Sequence, residues 1–286
     1  MLFRITGSMD VKFFLAGLFL TFVCGAWYFD PERTKAVSPP ALTDSPGFSL
    51  LTWNVGYFDD ELDSRAHSED LSHIASVISG AGVDCINLQE IADSNQVSTL
   101  KGLLGARYPY DAMGKGSRTD RYVVTLSRLP FENETLTPSL VGRDSVAVRF
   151  DVSSPPLSIT VVNCHADAFN SRRRRLLANY LIDWEDRAEG KKNVLLAGDF
   201  NLDLTPIESS DLFTDDKKND SEAYSLLLRR FRDLGGQAGP TSIFNRRIDY
   251  LFLASENLET VEVRVIQGKV VGRMDHLPLL GRFKVK

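Results

Sequence analysis

Carboxylate, amide and imidazole side chains recur in the sequence directly after short apolar runs. These are the groups that bind hard cations and transfer protons in enzymes. Four apolar runs are each followed closely by such a group, and two further polar positions flank later apolar segments. The positions are Asn54, Glu90, His165, Asp199 and Asn201 after the four runs, Asp249 at the start of another run, and Asp275-His276 before the last one.

We predict that these polar groups meet in one site. The apolar runs have the length and the β-branched content of buried strands. Buried strands that all end in a polar residue place those residues along one edge of a sheet, where α/β folds bind their ligands. A single one of these residues could be no more than the polar end of a strand, but so many on separate runs indicate a common site.

Strands and helices must alternate to position these residues. The buried strands are predicted at the four apolar runs, which are 48–53, 83–89, 157–163 and 194–198. Apolar residues at helical spacing between and after the runs predict helices, which lie around 71–78, over Ser171–Glu189 and over 224–234. This alternation predicts an α/β fold in which helices cover the faces of sheets.

Other segments favour strands that are not separated by helices. Three consecutive segments without an intervening helix are predicted to be antiparallel neighbours, and these are 122–126, 145–151 and 157–163. The last third of the chain is predicted to be mostly strand, over 248–254, 261–267 and 278–285. The fold should therefore mix α/β alternation with antiparallel sheet.

Composition and charge exclude several classes of protein. The chain has 286 residues, of which 43% are apolar and 25% charged, so collagen-like and broadly disordered proteins are excluded. Three cysteines are too few for a disulfide scaffold. The net charge of −5 argues against a protein whose whole surface coats nucleic acid, although it allows a local basic groove.

The N-terminal 29 residues have the pattern of a targeting segment. The segment Phe13–Phe29 holds 17 residues without a charge, and a helix of that length spans roughly 25 Å, the lower end for a membrane crossing. Arg4 and Lys12 precede it, so the positive-inside bias predicts a membrane anchor with everything after Asp30 outside the cytoplasm. A signal peptide cleaved near Cys24-Gly25-Ala26 is the alternative, and it would give an exported protein.

A linker and one domain are predicted to follow the N-terminal segment. Residues 30–47 contain four prolines and several serines and threonines but no apolar periodicity, which is typical of a tether. No second linker of similar length interrupts 48–286. We therefore expect these residues to form a single domain that acts as a monomer.

The polar segments resemble, in their order and rough spacing over 48–286, the endonuclease/exonuclease/phosphatase superfamily. This group includes deoxyribonucleases, abasic-site endonucleases, neutral sphingomyelinases and inositol-polyphosphate 5-phosphatases. The resemblance implies a four-layer α/β sandwich, in which two packed mixed β-sheets are flanked by helices, and hydrolysis of a phosphate ester with Mg²⁺ or Mn²⁺. The matching segments are Thr52-Trp53-Asn54, Gln89-Glu90, Asn163-Cys164-His165, Gly198-Asp199-Phe200-Asn201, Arg247-Ile248-Asp249-Tyr250 and Asp275-His276-Leu277-Pro278.

The resemblance also implies which residues bind the metal. Glu90, Asp275 and Asn54 are the expected ligands, because carboxylate and amide oxygens suit Mg²⁺. Asp249 is expected to accept a hydrogen bond from the His276 imidazole and thereby to fix its tautomer.

The remaining matched residues are expected to move protons or to contact the phosphate. His276 would orient or deprotonate the attacking water, or stabilise charge on the phosphate, and Asp199 is the alternative general base. Asn201 would donate hydrogen bonds to the phosphoryl oxygens. His165, which matches the deoxyribonucleases and sphingomyelinases, would give a proton to the leaving oxygen.

Four consecutive arginines, Arg172–Arg175, open the helix predicted over Ser171–Glu189. Cations are unfavourable at the positive end of a helix dipole unless an anion binds there. We therefore predict that Arg174 or Arg175 reaches the substrate phosphate and that the other arginines are solvated.

The sequence favours a nuclease-type phosphodiesterase that acts on DNA or RNA. A phospholipid phosphodiesterase of the sphingomyelinase kind, or a lipid or sugar phosphatase, is the alternative that a membrane anchor would favour. An inactive binding module has little support, because none of the acids, amides and imidazoles is missing. The 5-phosphatases are disfavoured, since the segment 245–249 lacks their Cys-Asp-Arg block.

Overall fold

The structure, a computed structural model, describes residues 47–56, 64–115, 121–134, 136, 145–153, 156–187, 193–204, 217–271 and 274–286. The membrane segment predicted at 13–29 and all but the last residue of the linker predicted at 30–47 lie outside these ranges, so both stay predictions. Among the helices in the described ranges, none is long and apolar enough to cross a membrane.

Twelve strands in the described ranges form two six-stranded mixed β-sheets. The strands of the first sheet are β1 (Gly47–Asn54), β2 (Cys85–Ile91), β3 (Tyr110–Lys115), β4 (Tyr122–Ser127), β11 (Leu258–Val265) and β12 (Leu279–Val285). Those of the second are β5 (Glu132–Glu134), β6 (Ser145–Ser153), β7 (Pro156–His165), β8 (Val194–Asp199), β9 (Arg232–Asp233) and β10 (Asp249–Ala254). The strand orders are β11-β12-β1-β2-β4-β3 and β5-β6-β7-β8-β10-β9.

Helices cover the outer face of each sheet. The first sheet carries α1 (Ser64–Ala81) and α2 (Ser94–Leu104), and the second carries α3 (Ser171–Arg187) and α4 (Lys217–Leu227). Apolar side chains fill three layers, one between the two sheets and one under each helix pair. The four-layer α/β sandwich implied by the resemblance is confirmed.

The central strands are apolar without alternation because both of their faces are buried. In β1, Phe48 and Leu50 pack between the sheets, whereas Leu51 and Trp53 pack against the helix side. The same burial on both faces explains why the apolar runs in the sequence are continuous.

A parallel strand pair at the centre of each sheet brings the polar strand ends together. The pair β1–β2 places Asn54 beside Gln89, and the pair β7–β8 places His165 beside Asp199. The antiparallel pair β8–β10 then sets Asp249 opposite Asp199. These polar residues therefore occupy one edge of the sandwich, as their sequence positions predict.

Two predictions of local structure are wrong. The helix predicted over 224–234 ends at Leu227, because the chain turns and forms β9, which pairs with the edge of β10. Segment 122–126 is not a neighbour of 145–151, since β4 pairs with β2 and β3 in the first sheet while β6 lies in the second. The helix predicted over Ser171–Glu189 is present over Ser171–Arg187, and Glu189 lies outside the described residues.

Gly198 lies on β8 where the backbone of β7 approaches closely. A Cβ atom at this position would lie 1.9 Å from the carbonyl oxygen of Cys164, so Gly198→Ala is expected to lower the free energy of unfolding by about 3 kcal/mol or more. Gly102→Ala in α2 is the control. No atom lies within 4 Å of its added Cβ, and the change should raise helix stability by up to about 1 kcal/mol. Urea unfolding of both variants measures the difference, and equal stabilities would contradict the packing described.

Candidate active site

The Asp199 carboxylate lies at the centre of the polar edge. Its Oδ2 atom is 3.0 Å from Asn54 Nδ2, 3.7 Å from His165 Nε2 and 3.8 Å from His276 Nε2. Its Oδ1 atom accepts a hydrogen bond of 2.9 Å from the backbone N–H of Asn201. One buried carboxylate thus contacts groups from both sheets and holds two imidazoles at nearly equal distances.

His276 is fixed by contacts on several sides. Its Nδ1 atom lies 2.8 Å from Asp249 Oδ2, and its backbone carbonyl accepts a hydrogen bond of 3.1 Å from Trp53 Nε1. Thr241 holds the loop beside it, because its Oγ1 accepts the backbone N–H of Asp249 and its carbonyl accepts that of Leu277. The expected pairing of Asp249 with the His276 ring is therefore present in the structure.

Glu90 reaches the site through a β-bulge. The pairing of β2 with β4 changes register between Leu88 and Ile91, and Glu90 has a backbone φ of 63°. A left-handed conformation costs a non-glycine residue on the order of 1 kcal/mol, and such strain is concentrated at functional sites. The bulge places Glu90 Oε1 3.6 Å from His165 Nε2.

Asn201 also has a left-handed backbone, with a φ of 50°. Its Nδ2 donates a hydrogen bond of 3.2 Å to the carbonyl of Ala166, next to His165. An amide NH₂ group has two hydrogens, so a second donor position is available for a substrate oxygen. Asp275 closes the group, with Oδ1 3.7 Å from His276 Nε2.

A family model described as the Endonuclease/Exonuclease/phosphatase family matches residues 51–270, more than half of the chain. The chain therefore belongs to this family. Its members are hydrolases that act on phosphoester bonds, and they generally depend on divalent metals. No curated protein matches the sequence.

Solved structures of the same fold have low sequence identity to this chain. A family protein from Bacteroides thetaiotaomicron is 15% identical, with a TM-score of 0.64 over 85% of this chain and 99% of that one. D. rerio TDP2, solved with a single-strand DNA product, is 17% identical, with a TM-score of 0.63 over 84% and 99%. The human Nocturnin catalytic domain with a bound sulfate is 15% identical, with a TM-score of 0.61 over 84% and 94%.

Eight of the residues predicted for this family's site lie together, but the two arginines do not join them. Arg174 is fully buried, and its Nε donates to Asp220 Oδ1 at 2.6 Å. Arg175 forms an ion pair with Glu222 on α4. The prediction that Arg174 or Arg175 reaches the substrate phosphate is wrong for this geometry, because both side chains are directed at α4.

Trp53 and Thr241 are the residues of the site that sequence reasoning missed. Trp53 holds His276 across 223 residues of the chain. Thr241 holds Asp249, eight residues further on, and also accepts the backbone N–H of Leu277. The position of Trp53 immediately before Asn54, within a matched segment, was the available signal. Thr241 lies outside the matched segments and offered none.

The donor set fits a hard divalent cation. Possible ligand atoms of Asp199, Asp249 and His276 lie within 4.8 Å of one another, and the carboxylate oxygens among them are the ones that a metal can use while the imidazole is protonated. Asp249 Oδ1 is buried and has no hydrogen-bond partner in the described ranges. The carboxylates of Glu90 and Asp275 are the accessible ones, with side chains 24% and 32% exposed. Oxygen-rich sites of this kind suit Mg²⁺ or Mn²⁺.

Asn54, the third expected metal ligand, is already engaged by the protein. Its Oδ1 accepts the backbone N–H of Gly56 at 3.0 Å, while its Nδ2 donates to Asp199. An amide oxygen has two lone pairs, so one position of the Asn54 oxygen can still face a ligand. Its hydrogen bond to Asp199 gives it a positioning role in addition to the expected one.

Burial and neighbouring charges shift the pKa values of Asp199 and His276. Burial raises the pKa of Asp199 to about 7, and the Asp249 carboxylate acts in the same direction against the opposing His276 charge. Burial alone would lower the pKa of His276, but the carboxylates of Asp249, Asp199 and Asp275 raise it to about 10. At neutral pH the His276 imidazole is therefore a cation, and the Asp199 carboxyl group changes between its neutral and charged forms.

The raised pKa of His276 should be visible in the stability of the metal-free protein. Its contribution is complete below the ordinary pKa of 6.5 and is lost as the pH rises through about 10. The Asp199 contribution has the same sign, but it is lost mostly as the pH passes about 7. In EDTA, the free energy of unfolding should fall between pH 8 and pH 10 by about 2 kcal/mol more in the wild type than in His276→Gln. Parallel profiles of the two proteins in urea unfolding would show that the proton is not held as described.

Proposed function

We propose that this protein is a Mg²⁺- or Mn²⁺-dependent phosphodiesterase of the nuclease type, which cleaves DNA or RNA. The observation that carries the proposal is the Asp199 carboxylate between the imidazoles of His165 and His276, at an edge where the carboxylates of Glu90 and Asp275 are accessible. The fold shared with D. rerio TDP2, which was solved with a single-strand DNA product, supports the nuclease type over other phosphodiesterases.

Asp199 is the general base of the proposed reaction. A base works best when its pKa is near the operating pH, and burial gives Asp199 a pKa of about 7. His276 acts as a fixed cation, because Asp249 holds its ring and the surrounding carboxylates keep it protonated. Its Nε2–H donates to the phosphate oxygens as negative charge develops on them.

His165 protonates the leaving oxygen. Its Nε2 lies 3.6 Å from Glu90 Oε1 and 3.7 Å from Asp199 Oδ2, which places this ring nitrogen among the catalytic carboxylates. The side chain of Asn201 donates to a phosphoryl oxygen. Glu90, Asp275 and the Asn54 oxygen would hold the divalent cation, which when bound would supply positive charge to the phosphate.

A phospholipid phosphodiesterase remains the second candidate function. It would use the same catalytic groups, since sphingomyelin and nucleic acids are both phosphodiesters. The observation that favours it is the uncharged segment Phe13–Phe29, which would hold the site near a bilayer.

Metal removal tests the proposed reaction class. The purified full-length protein is assayed on single-stranded DNA, duplex DNA, RNA and sphingomyelin vesicles. We expect cleavage of nucleic acid that stops in excess EDTA and returns with Mg²⁺ or Mn²⁺.

Glu90→Gln should lower kcat/KM by on the order of 10²-fold or more, because it removes a charged ligand. Glu132→Gln is the matched control, since Glu132 lies on β5 in an exposed ion pair with Arg149. Full activity in excess chelator would refute the mechanism.

The role of His165 can be tested by changing the leaving group. A sugar alkoxide needs a proton as the P–O bond breaks, whereas a nitrophenolate is stable enough to leave without one. His165→Ala should therefore lower kcat on a natural diester by about 10²–10⁴-fold, but on a nitrophenyl phosphodiester by roughly tenfold or less. His276→Ala is the internal control, and its loss should be similar on both substrates. An equal loss for His165→Ala on both would rule out the general-acid role.

A further inference from the structure

Two phenylalanines are exposed on loops at the edge of the sandwich that carries the site. The side chain of Phe169 is 68% exposed and that of Phe244 is 49% exposed. Phe169 follows His165 by four residues, so their Cα atoms are at most about 15 Å apart. Phe244 follows Ile243, whose backbone N–H donates to the carbonyl of Asp275 at 2.9 Å. The loop of Phe169 therefore follows His165 along the chain, and the turn of Phe244 is hydrogen-bonded beside Asp275.

The loop that carries Phe169 is held rigidly. The backbone N–H of Phe169 donates to Asp167 Oδ1 at 2.9 Å, and Arg173 pairs with the other oxygen of that carboxylate. The buried guanidinium of Arg174 donates to the carbonyls of Asp167 and Ala168. The ring is thus exposed even though its backbone is fixed by several hydrogen bonds.

The turn that carries Phe244 is held in a similar way. Backbone N–H groups of Thr241 and Ser242 both donate to the carbonyl of Arg246, and the guanidinium of Arg246 forms a buried ion pair with Asp203. Asn245 closes the turn with a φ of 60° and a hydrogen bond to the carbonyl of Ser242.

The buried ion pairs that hold the two loops are connected to each other. Arg174 pairs with Asp220, Arg246 pairs with Asp203, and the backbone N–H of Asp203 donates to Asp220 Oδ2 at 3.4 Å. Burying ion pairs is costly, and here the two arginines position the two loops that expose the rings. An apolar ring on a rigid support loses little conformational freedom when it contacts a ligand.

The charges beside the rings indicate what kind of ligand they meet. Arg172, directly after the loop of Phe169, is exposed, whereas Arg173 beside it pairs with Asp167. At Phe169 an exposed ring thus lies beside an exposed cation, which is the arrangement by which proteins bind single-stranded nucleic acid: its bases stack on aromatic rings while its phosphates face the cations. The exposed ring of Phe244 offers a second stacking surface.

We propose that Phe169 and Phe244 stack the nucleobases on the two sides of the scissile phosphate, which makes single-stranded nucleic acid the preferred substrate. This inference rests on the proposed nuclease function. It assigns the two rings a role in binding and specificity, whereas the chemical step belongs to the groups around Asp199.

Leucine substitutions separate stacking from simple apolar contact. Phe169→Leu and Phe244→Leu keep an apolar side chain of similar volume but remove the ring, and Phe169→Trp and Phe244→Trp keep a ring. Each Leu variant should lower kcat/KM on single-stranded DNA by roughly 5- to 50-fold, mainly through KM, and each Trp variant should retain most of the wild-type value. Tyr110→Leu is the matched control, because this exposed aromatic residue stands at the opposite end of the strands.

Oligonucleotides that lack one base complete the test. On a substrate with an abasic residue on one side of the cleaved bond, the kcat/KM of the wild type should fall as far as that of one Leu variant falls on the intact strand. The kcat/KM of that Leu variant should be the same on the abasic and the intact strand. Leu variants that cleave intact and abasic strands as well as the wild type would overturn the stacking proposal and leave the nuclease function standing. A wild type that hydrolyses sphingomyelin vesicles but no nucleic acid would overturn both.

Discussion

The alignment of the two β-sheets is the constraint on which the site depends. The catalytic groups are divided between the sheets, with Asn54 and Glu90 on one and His165 and Asp199 on the other. Beneath them, in the buried layer between the sheets, Gln89 Nε2 donates to Asn163 Oδ1 at 2.8 Å. The side chain of Asn163 in turn donates to the carbonyls of Leu88 and Val124. Buried polar groups must find partners, so a slide of one sheet over the other would leave them unsatisfied and would separate the catalytic groups.

The alignment of the sheets also explains why Asp199 and His276, which lie next to each other, differ in protonation. The carboxylate is buried and shares its neighbourhood with Asp249, which favours its neutral form. The imidazole of His276 lies among three carboxylates, which favours its cation despite its burial. Separated pKa values of this kind assign the proton-accepting role and the charge-stabilising role to different residues. Neither value follows from the residue type, because each depends on what the fold places around the group.

The arginines at the start of α3 show how one sequence pattern can have two physical solutions. A cationic first turn is unfavourable at a helix N-terminus unless negative charge is close. The structure supplies that charge from the protein itself, through Asp167 to Arg173, Asp220 to Arg174 and Glu222 to Arg175. The run of arginines correctly indicated that anions lie close to this helix start. It could not distinguish a substrate phosphate from carboxylates that lie about 45 residues away along the chain.

The sequence by itself determined the strands, the polar residues at their ends and the family. Continuous apolar runs ending in Asn54, Glu90, His165 and Asp199 are local features, and strands buried on both faces can be read from them without knowing their partners. Tertiary structure decided what local pattern does not encode. The bulge that brings Glu90 into the site, the hydrogen bonds of Trp53 to His276 and of Leu277 to Thr241, and the burial of Arg174 all arise from contacts between distant segments. Such contacts exist only when the two sheets and their helices are packed together, because the partners that fix each side chain come from elsewhere in the chain.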